Sequence, residues 1–322
     1  MRKYGRVGVL MGGYSSEREI SLKSGQAICT ALQALGCEVI AVDIVEHDDA
    51  AIARCIEAKN LDLGFIALHG RLGEDGQIQR ILEQAGIPYT GSGVEASQTA
   101  IHKIRTKNVL RANGINVAED VTLSAGERLS PEAFQRLGGY PLVVKPLAEG
   151  SSIGVSLAEG PTQFEMAVEE AGKYGPQIMV EKYISGREIT VGILGKEALP
   201  VVEICASRTF FDYTAKYQKG LTDYIVPARL DELIVRQVQA AALKAHEAVG
   251  CEDISRVDMI IDDNGRYYVL EINTIPGFTA TSLLPQAAAQ RGINFNQLCA
   301  ILVDRAYGKK EDVRFSRSPI RT

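Results

Sequence analysis

The sequence predicts a multidomain protein of mixed α/β and α+β class, on three observations. The first hundred residues alternate short apolar runs with stretches of helical periodicity. The remainder is rich in strands, two of them joined by an Asn-Gly turn. The chain, at 322 residues, is too long for one small core, and that length suggests two or three domains. The alternation over 1–101 predicts an N-terminal domain with a parallel sheet covered by helices.

Each element has its own signal. "RVGVLM" is a compact apolar strand, closed by Gly12-Gly13. Ile20 to Leu35 has helical spacing and stops at Gly36. "EVIAVDI" and "LDLGFIALHG" read as further strands, with a helix from Asp49 to Ala58 between them, and Gln77 to Gln84 is helical up to Gly86. A second unit is expected over 102–185. There "HKIRTKNVLRANG" is a helix ending at Asn113-Gly114, "YPLVVKPL" a strand, and "AEGSSIGV" a glycine-rich loop. Pro161 opens a helix to about Lys173, and "QIMVEKYI" is a strand. A third unit, 186–308, holds "EITVGILG" and "ALPVVEI", then the long polar-aromatic stretch "CASRTFFDYTAKYQKGLTDYIVPA". A helix follows from Asp231 to Val249, then "RVDMIID" and "RYYVLEIN", then two helices. The basic, non-periodic segment 309–322 reads as a frayed tail.

Composition narrows the function classes. Apolar residues make up 46% and charged residues 23%, and the formal net charge is −5, so no general basic field draws in nucleic acid. The six cysteines form no CxxC pair and sit among apolar or helical neighbours, which reads as buried thiols in a reducing compartment. No apolar run reaches the roughly 20 residues of a membrane span, and the interrupted N-terminal run reads as strand and turn, so a cytoplasmic protein without membrane contact is expected.

The late hairpin carries the most chemistry. With Asn264-Gly265 as a two-residue loop, Asp258 falls opposite Glu271 and Arg256 opposite Asn273. Residues two apart share a face, so these four side chains form one patch. Two carboxylates opposed at about 5 Å repel by roughly 3 kcal/mol at an effective dielectric near 20. A bound divalent cation reverses that sign. Asp258, Glu271 and Asn273 all offer hard oxygen, which suits Mg²⁺ or Mn²⁺ rather than zinc. Mg²⁺ held by few carboxylates commonly also binds phosphate, and "VVKPLAEGSSIGV" places Lys145 at a strand end before a loop of Gly150, Ser151, Ser152 and Gly154 suited to an anion. "GSGVEA" (91–96) matches a dinucleotide fingerprint only weakly, because it follows "GIPYT" and lies after several strands rather than the first.

Taken together, "GGYSSEREIS" (12–21), "HGRLGEDG" (69–76), "KPLAEGSS" (145–152), "FDYTAKY" (211–217), "RVD" (256–258) and "EINTIPGFTATSL" (271–283) resemble the bacterial D-alanine–D-alanine ligases of the ATP-grasp superfamily. The resemblance runs from residue 12 to about 303. It implies an N-terminal parallel α/β domain followed by a two-domain ATP-grasp fold. It further implies ATP-dependent ligation of two D-alanines through an acyl phosphate, for peptidoglycan precursors, in a homodimer. By resemblance Lys103 and Lys145 contact ATP phosphates, with Lys216 reaching the γ-phosphate from a mobile loop at about 206–227. Glu181, Lys182 and Ile184 line the adenine slot, Glu188 takes the ribose, and Ser152, Ile260 and Leu270 complete the cofactor site. Asp258, Glu271 and Asn273 hold two Mg²⁺ ions. Glu17 receives the first D-alanine's ammonium in a set with Ser151 and Tyr217, and His69 lies beside that substrate. Arg256 and the Gly277 amide face the oxyanion, and Ser282 meets the second carboxylate. Arg80 and Asp253 depart from the family pattern. A D-lactate acceptor is a near alternative, against which Tyr217 speaks. A nicotinamide oxidoreductase built on "GSGVEA" is a distant one.

Overall fold

The computed structural model describes residues 4–124, 126–147, 150, 153–206 and 222–316, with side chains up to 308 and without that of Ala206. Ser151, Ser152, Lys216, Tyr217 and most of the 206–227 loop therefore lie outside the described residues.

The N-terminal unit follows the expected alternation: β1 (Arg6–Gly12), α1 (Arg18–Ala34), β2 (Glu38–Ile44), α2 (Asp49–Glu57), β3 (Leu63–Ile66) and α3 (Gln77–Gln84). Its sheet is parallel, in order β2-β1-β3. β1 and β3 are buried almost throughout, as strands covered on both faces are, with Val7, Val9 and Leu10 fully inaccessible, while the edge strand β2 buries only Val42 and Ile44. Next come α4 (Val94–Ile101), which the sequence reading leaves unassigned, and α5 (Lys103–Ala112).

The central unit is a four-stranded antiparallel sheet, β4 (Asp120–Ser124), β5 (Leu142–Pro146), β6 (Ser156–Ala158) and β7 (Gln177–Lys182), in order β4-β7-β5-β6. Helices α6 (Pro131–Leu137) and α7 (Pro161–Gly172) supply Leu137, Ala167 and Ala171 to a core it shares with neither other unit. β4 and β6 are further elements without a sequence signal, being short, and α6 is one whose signal, Ser130 before Pro131 and Gly138 at its end, the sequence reading passes over.

The last unit is a larger antiparallel sheet of β8 (Gly186–Leu194), β9 (Glu197–Ala198), β10 (Val202–Ala206), β11 (Thr222–Ile225), β12 (Ile254–Asp262) and β13 (Tyr267–Asn273). Helix α8 (Glu232–Val249) covers its inner face, and α9 (Leu283–Gln290) and α10 (Phe295–Ser316) follow. Two findings differ from the sequence-based boundaries. Helix α5, grouped with the central unit on sequence, buries Leu110 in the same core as Val191, Val257 and Met259 of the last sheet. Helix α10 runs past Gly308 to Ser316 instead of fraying there, and its Leu298 and Leu302 join β1 and α1 in one core. No described helix is long and apolar enough to cross a membrane.

The two residues that depart from the family pattern have local partners. Arg80 pairs with Asp49 at 3.0 Å, tying α3 to α2. Asp253 adopts φ +57, a region that Asp tolerates better than most side chains. Its Oδ2 accepts from the Gly91 N–H at 3.1 Å, and the Ser92 hydroxyl accepts from the Glu252 N–H at 3.1 Å. The "GSGVEA" loop is thus a seat for 252–253 of the last unit.

Candidate active site

The β12–β13 hairpin reaches the expected opposition by a different route. Gly265 N–H bonds to the Asp262 carbonyl and Asp262 N–H to the Arg266 carbonyl, so the loop has three residues, Asp263 to Gly265, with Gly265 at φ +77. From there the pairs run Ile261 with Tyr267 and Met259 with Val269, one residue off the predicted register. A bulge at Leu270 then restores it, and Asp258 pairs with Glu271 and Arg256 with Asn273. The longer turn and the bulge cancel. The bulge also turns both Leu270 and Glu271 toward a cleft of about 630 Å³ that opens between the central and last sheets.

Asp258 is already neutralised within the protein, which corrects the repulsion argument. Arg256 grips it through Nε (2.8 Å) and Nη2 (2.7 Å), the Thr190 hydroxyl donates at 2.6 Å, and the Asn273 amide donates at 3.0 Å. The Arg256 charge thus offsets what a cation was invoked to offset. Among the described residues none donates to the Glu271 carboxylate, which faces the cleft with the Asn273 amide oxygen. These hard oxygens suit a divalent cation in type and border the same cleft, and loading one would exchange a partner of Asp258.

The opposite wall comes from α5 and the central sheet. Lys103, at the first position of α5, is only 7% exposed, which sets aside a surface role, and its N–H bonds to the Leu147 carbonyl at 3.0 Å. Lys145 pairs with one oxygen of Glu181 and Lys107 with the other. Burial raises the Glu181 pKa, but Lys145 and Lys107 outweigh it and bring the group down to about 2. Lys182 and Ile184 continue this wall, and Glu188 and Ile260, cross-strand partners on β8 and β12, face it.

The far end belongs to the N-terminal unit. Glu17 occupies the N-cap of α1, yet its carboxylate makes no capping bond. Gly70 (φ +66) and Gly150 lie so close that a Cβ on either would sit 2.8 Å or 3.1 Å from Glu17 Oε2. His69 is buried between three elements: Nδ1 donates to the Ile275 carbonyl at 3.0 Å, Nε2 meets the Ser24 hydroxyl at 3.1 Å, and Glu74 lies 3.8 Å from Nδ1. Glu74 also lines the cleft, and burial pushes its pKa up to about 7 against the pull of His69, with the Glu17 charge adding to the rise. It stands inside the "HGRLGEDG" motif, and the sequence reading gave it no role. Gly277 and Ser282 complete the rim, with Ser282 at the N-cap of α9, its hydroxyl accepting from the Thr279 N–H at 3.0 Å.

Every described residue to which the resemblance assigns a site role thus borders this one cleft, whereas Gly154 of the glycine-rich loop lies outside it, against Pro146 and Tyr174. Two antiparallel sheets facing each other, with lysines on one wall and paired acids on the other, define an ATP-grasp protein. The model of the D-ala D-ala ligase C-terminus matches residues 109–304, and that of its N-terminus matches 45–92. The chain is 46% identical to a D-alanine–D-alanine ligase of Trichlorobacter lovleyi, over 92% of this chain and 93% of that one. Among solved structures it resembles the Bacillus anthracis D-alanine–D-alanine ligase complexed with ATP (TM-score 0.84, 31% identity, 96% and 99% of the two chains). It also resembles the VanG D-Ala:D-Ser ligase of Enterococcus faecalis (TM-score 0.78, 29% identity, 94% and 100%). The chain belongs to the D-alanine–D-alanine ligase family.

Proposed function

We propose that this chain is an ADP-forming ligase that joins two D-alanines into D-alanyl-D-alanine at the expense of ATP, for peptidoglycan precursor synthesis. The observation that carries the reading is the convergence in one cleft of Lys103 and Lys145, the Asp258–Glu271 pair, and the Glu17–His69 end. A carboxylate is a poor electrophile because its leaving group would be oxide. Transfer of the γ-phosphoryl group to the first D-alanine makes an acyl phosphate, and the lysines, Lys216 among them, offset the charge that this transfer gathers. Two Mg²⁺ or Mn²⁺ ions, held by Asp258, Glu271 and Asn273, supply further neutralisation of the terminal phosphates. Glu181, Lys182, Ile184, Ile260 and Leu270 border the base, Glu188 the ribose, and Ser152 the phosphates.

Glu17 receives the ammonium of the first amino acid, with Ser151 and Tyr217. The second amine attacks the acyl carbonyl, where the Arg256 guanidinium and the Gly277 amide offset oxyanion charge, and collapse breaks the acyl C–O bond to release inorganic phosphate and the amine proton. Ser282 stands where the N–H groups of α9 favour the second carboxylate. Closure of the 206–227 loop keeps water from the acyl phosphate. The same reading carries a cytoplasmic homodimer that needs neither nucleic acid nor membrane.

The test is ADP release with ATP, Mg²⁺ and D-alanine, repeated with D-serine or D-lactate as the second substrate. D-alanine-dependent ADP release with dipeptide as product supports the reading. Absence of that dependence ends it, and a preference for another acceptor redirects it.

A further inference from the structure

Asp120 and Glu181 are directly opposed on β4 and β7, a second pair of facing carboxylates in this fold. The cation between them comes from a different unit. Lys107 Nζ bonds to Glu181 Oε1 and lies 2.8 Å from Asp120 Oδ1, and its side chain is only 1% exposed. It does not border the cleft. Lys107 stands four residues after Lys103 on α5, so the two share a helix face. The same helix is rooted through Leu110 in the core of the last sheet, whereas Glu181 and Asp120 belong to the central sheet, which has a core of its own. Arg111, one turn further along α5, also pairs with Asp120.

Glu181 is therefore divided between two lysines. Lys107 takes Oε1 and Lys145 takes Oε2. A carboxylate held at one oxygen by a buried, immobile cation has its second oxygen fixed in space, and Lys145 is oriented by that oxygen. Without Lys107 the carboxylate is free to turn both oxygens to Lys145 and draw it away from an anion in the cleft.

We propose that Lys107 is a positioning residue for the nucleotide. It locks Glu181 so that Lys145 stands ready for phosphate, and it clamps the Lys103-bearing helix of one unit against the sheet of the other. This rests on the reading that Lys103 and Lys145 take nucleotide phosphate. Lys107→Met leaves two facing carboxylates short of a cation and can fail to fold, so the deciding variant is Lys107→Met with Asp120→Asn, which removes one charge of each sign. Its KM for ATP is expected to rise about tenfold, the size of one charge-assisted hydrogen bond, with KM for D-alanine within about twofold of wild type. Lys107→Arg is expected to recover most of the ATP affinity. An unchanged KM for ATP overturns the proposal, as does an equal rise for both substrates, which a merely structural role would produce. Calorimetric ATP binding to Lys145→Met separates the two levels. If that variant binds ATP like wild type, the reading of the cleft fails. If it loses ATP while the double variant keeps it, only the role of Lys107 fails.

Discussion

Glu74 makes the sharpest quantitative prediction. Its carboxyl is 13% exposed beside His69, and burial moves its pKa from 4.5 up to about 7. Between those values the folded chain holds a proton that the unfolded chain has released. Stability therefore falls as pH rises from about 4.5 to about 7, and the full penalty remains above 7. At about 1.4 kcal/mol per pKa unit, allowing for partial exposure, the ionised group costs the fold roughly 2–3 kcal/mol. Glu74→Gln keeps the shape and removes the charge. Urea unfolding midpoints measured from pH 4 to pH 8 should show the variant gaining on wild type across that window, by roughly 2–3 kcal/mol at pH 8 relative to pH 4. His69 Nδ1 lies 3.8 Å from the carboxylate, too far for the substitution to exchange a hydrogen bond. Parallel midpoint curves for the two proteins would refute the assignment of a raised pKa to Glu74.

Three further outcomes follow. Glu271→Gln should lower metal-dependent turnover by at least about a hundredfold while shifting stability by less than about 1 kcal/mol, because no described group donates to that carboxylate; equal losses in thermal melts and turnover would contradict this. Gly70→Ala should cost about 1–2 kcal/mol from φ +66 alone and raise KM for D-alanine by displacing Glu17, whereas Gly150→Ala, without positive φ, should raise KM with little loss of stability. Burial pushes the thiols of Cys29 up to about 11 and of Cys251 and Cys299 up to about 12, so a disulfide reagent at pH 8 should leave these three unmodified until denaturant is added; rapid labelling of any of them in the native protein would count against the packing described.

The legible parts of the fold are those with a strong period. β1 to α3 carry alternation and helix stops at glycines, and they appear where expected. The misses have physical causes. α4 begins within "GSGVEA", at Val94, and is eight residues of mostly small or polar side chains, so its apolar stripe is thin. β4 has only five residues and β6 three, and both depend on the ladders beside them. The apolar spacing of α5 predicts a buried face, but not which sheet that face meets. Glu74 and Lys107 escaped notice because the significance of each comes from neighbours far along the chain.

The sequence by itself determined that Arg256 and Asp258 would share one face of their strand, and Glu271 and Asn273 one face of theirs, since strand alternation is local. It also carried the motifs that place the chain in its family. Only the tertiary structure decided that a three-residue turn and a bulge at Leu270 would bring Asp258 and Glu271 into opposition, and that Arg256 would already hold Asp258. Only it could show Lys107 crossing from one unit to pin Glu181 in another. The reason is that backbone periodicity is written residue by residue, whereas the charge balance of a buried group is set by elements that meet only after the chain has folded.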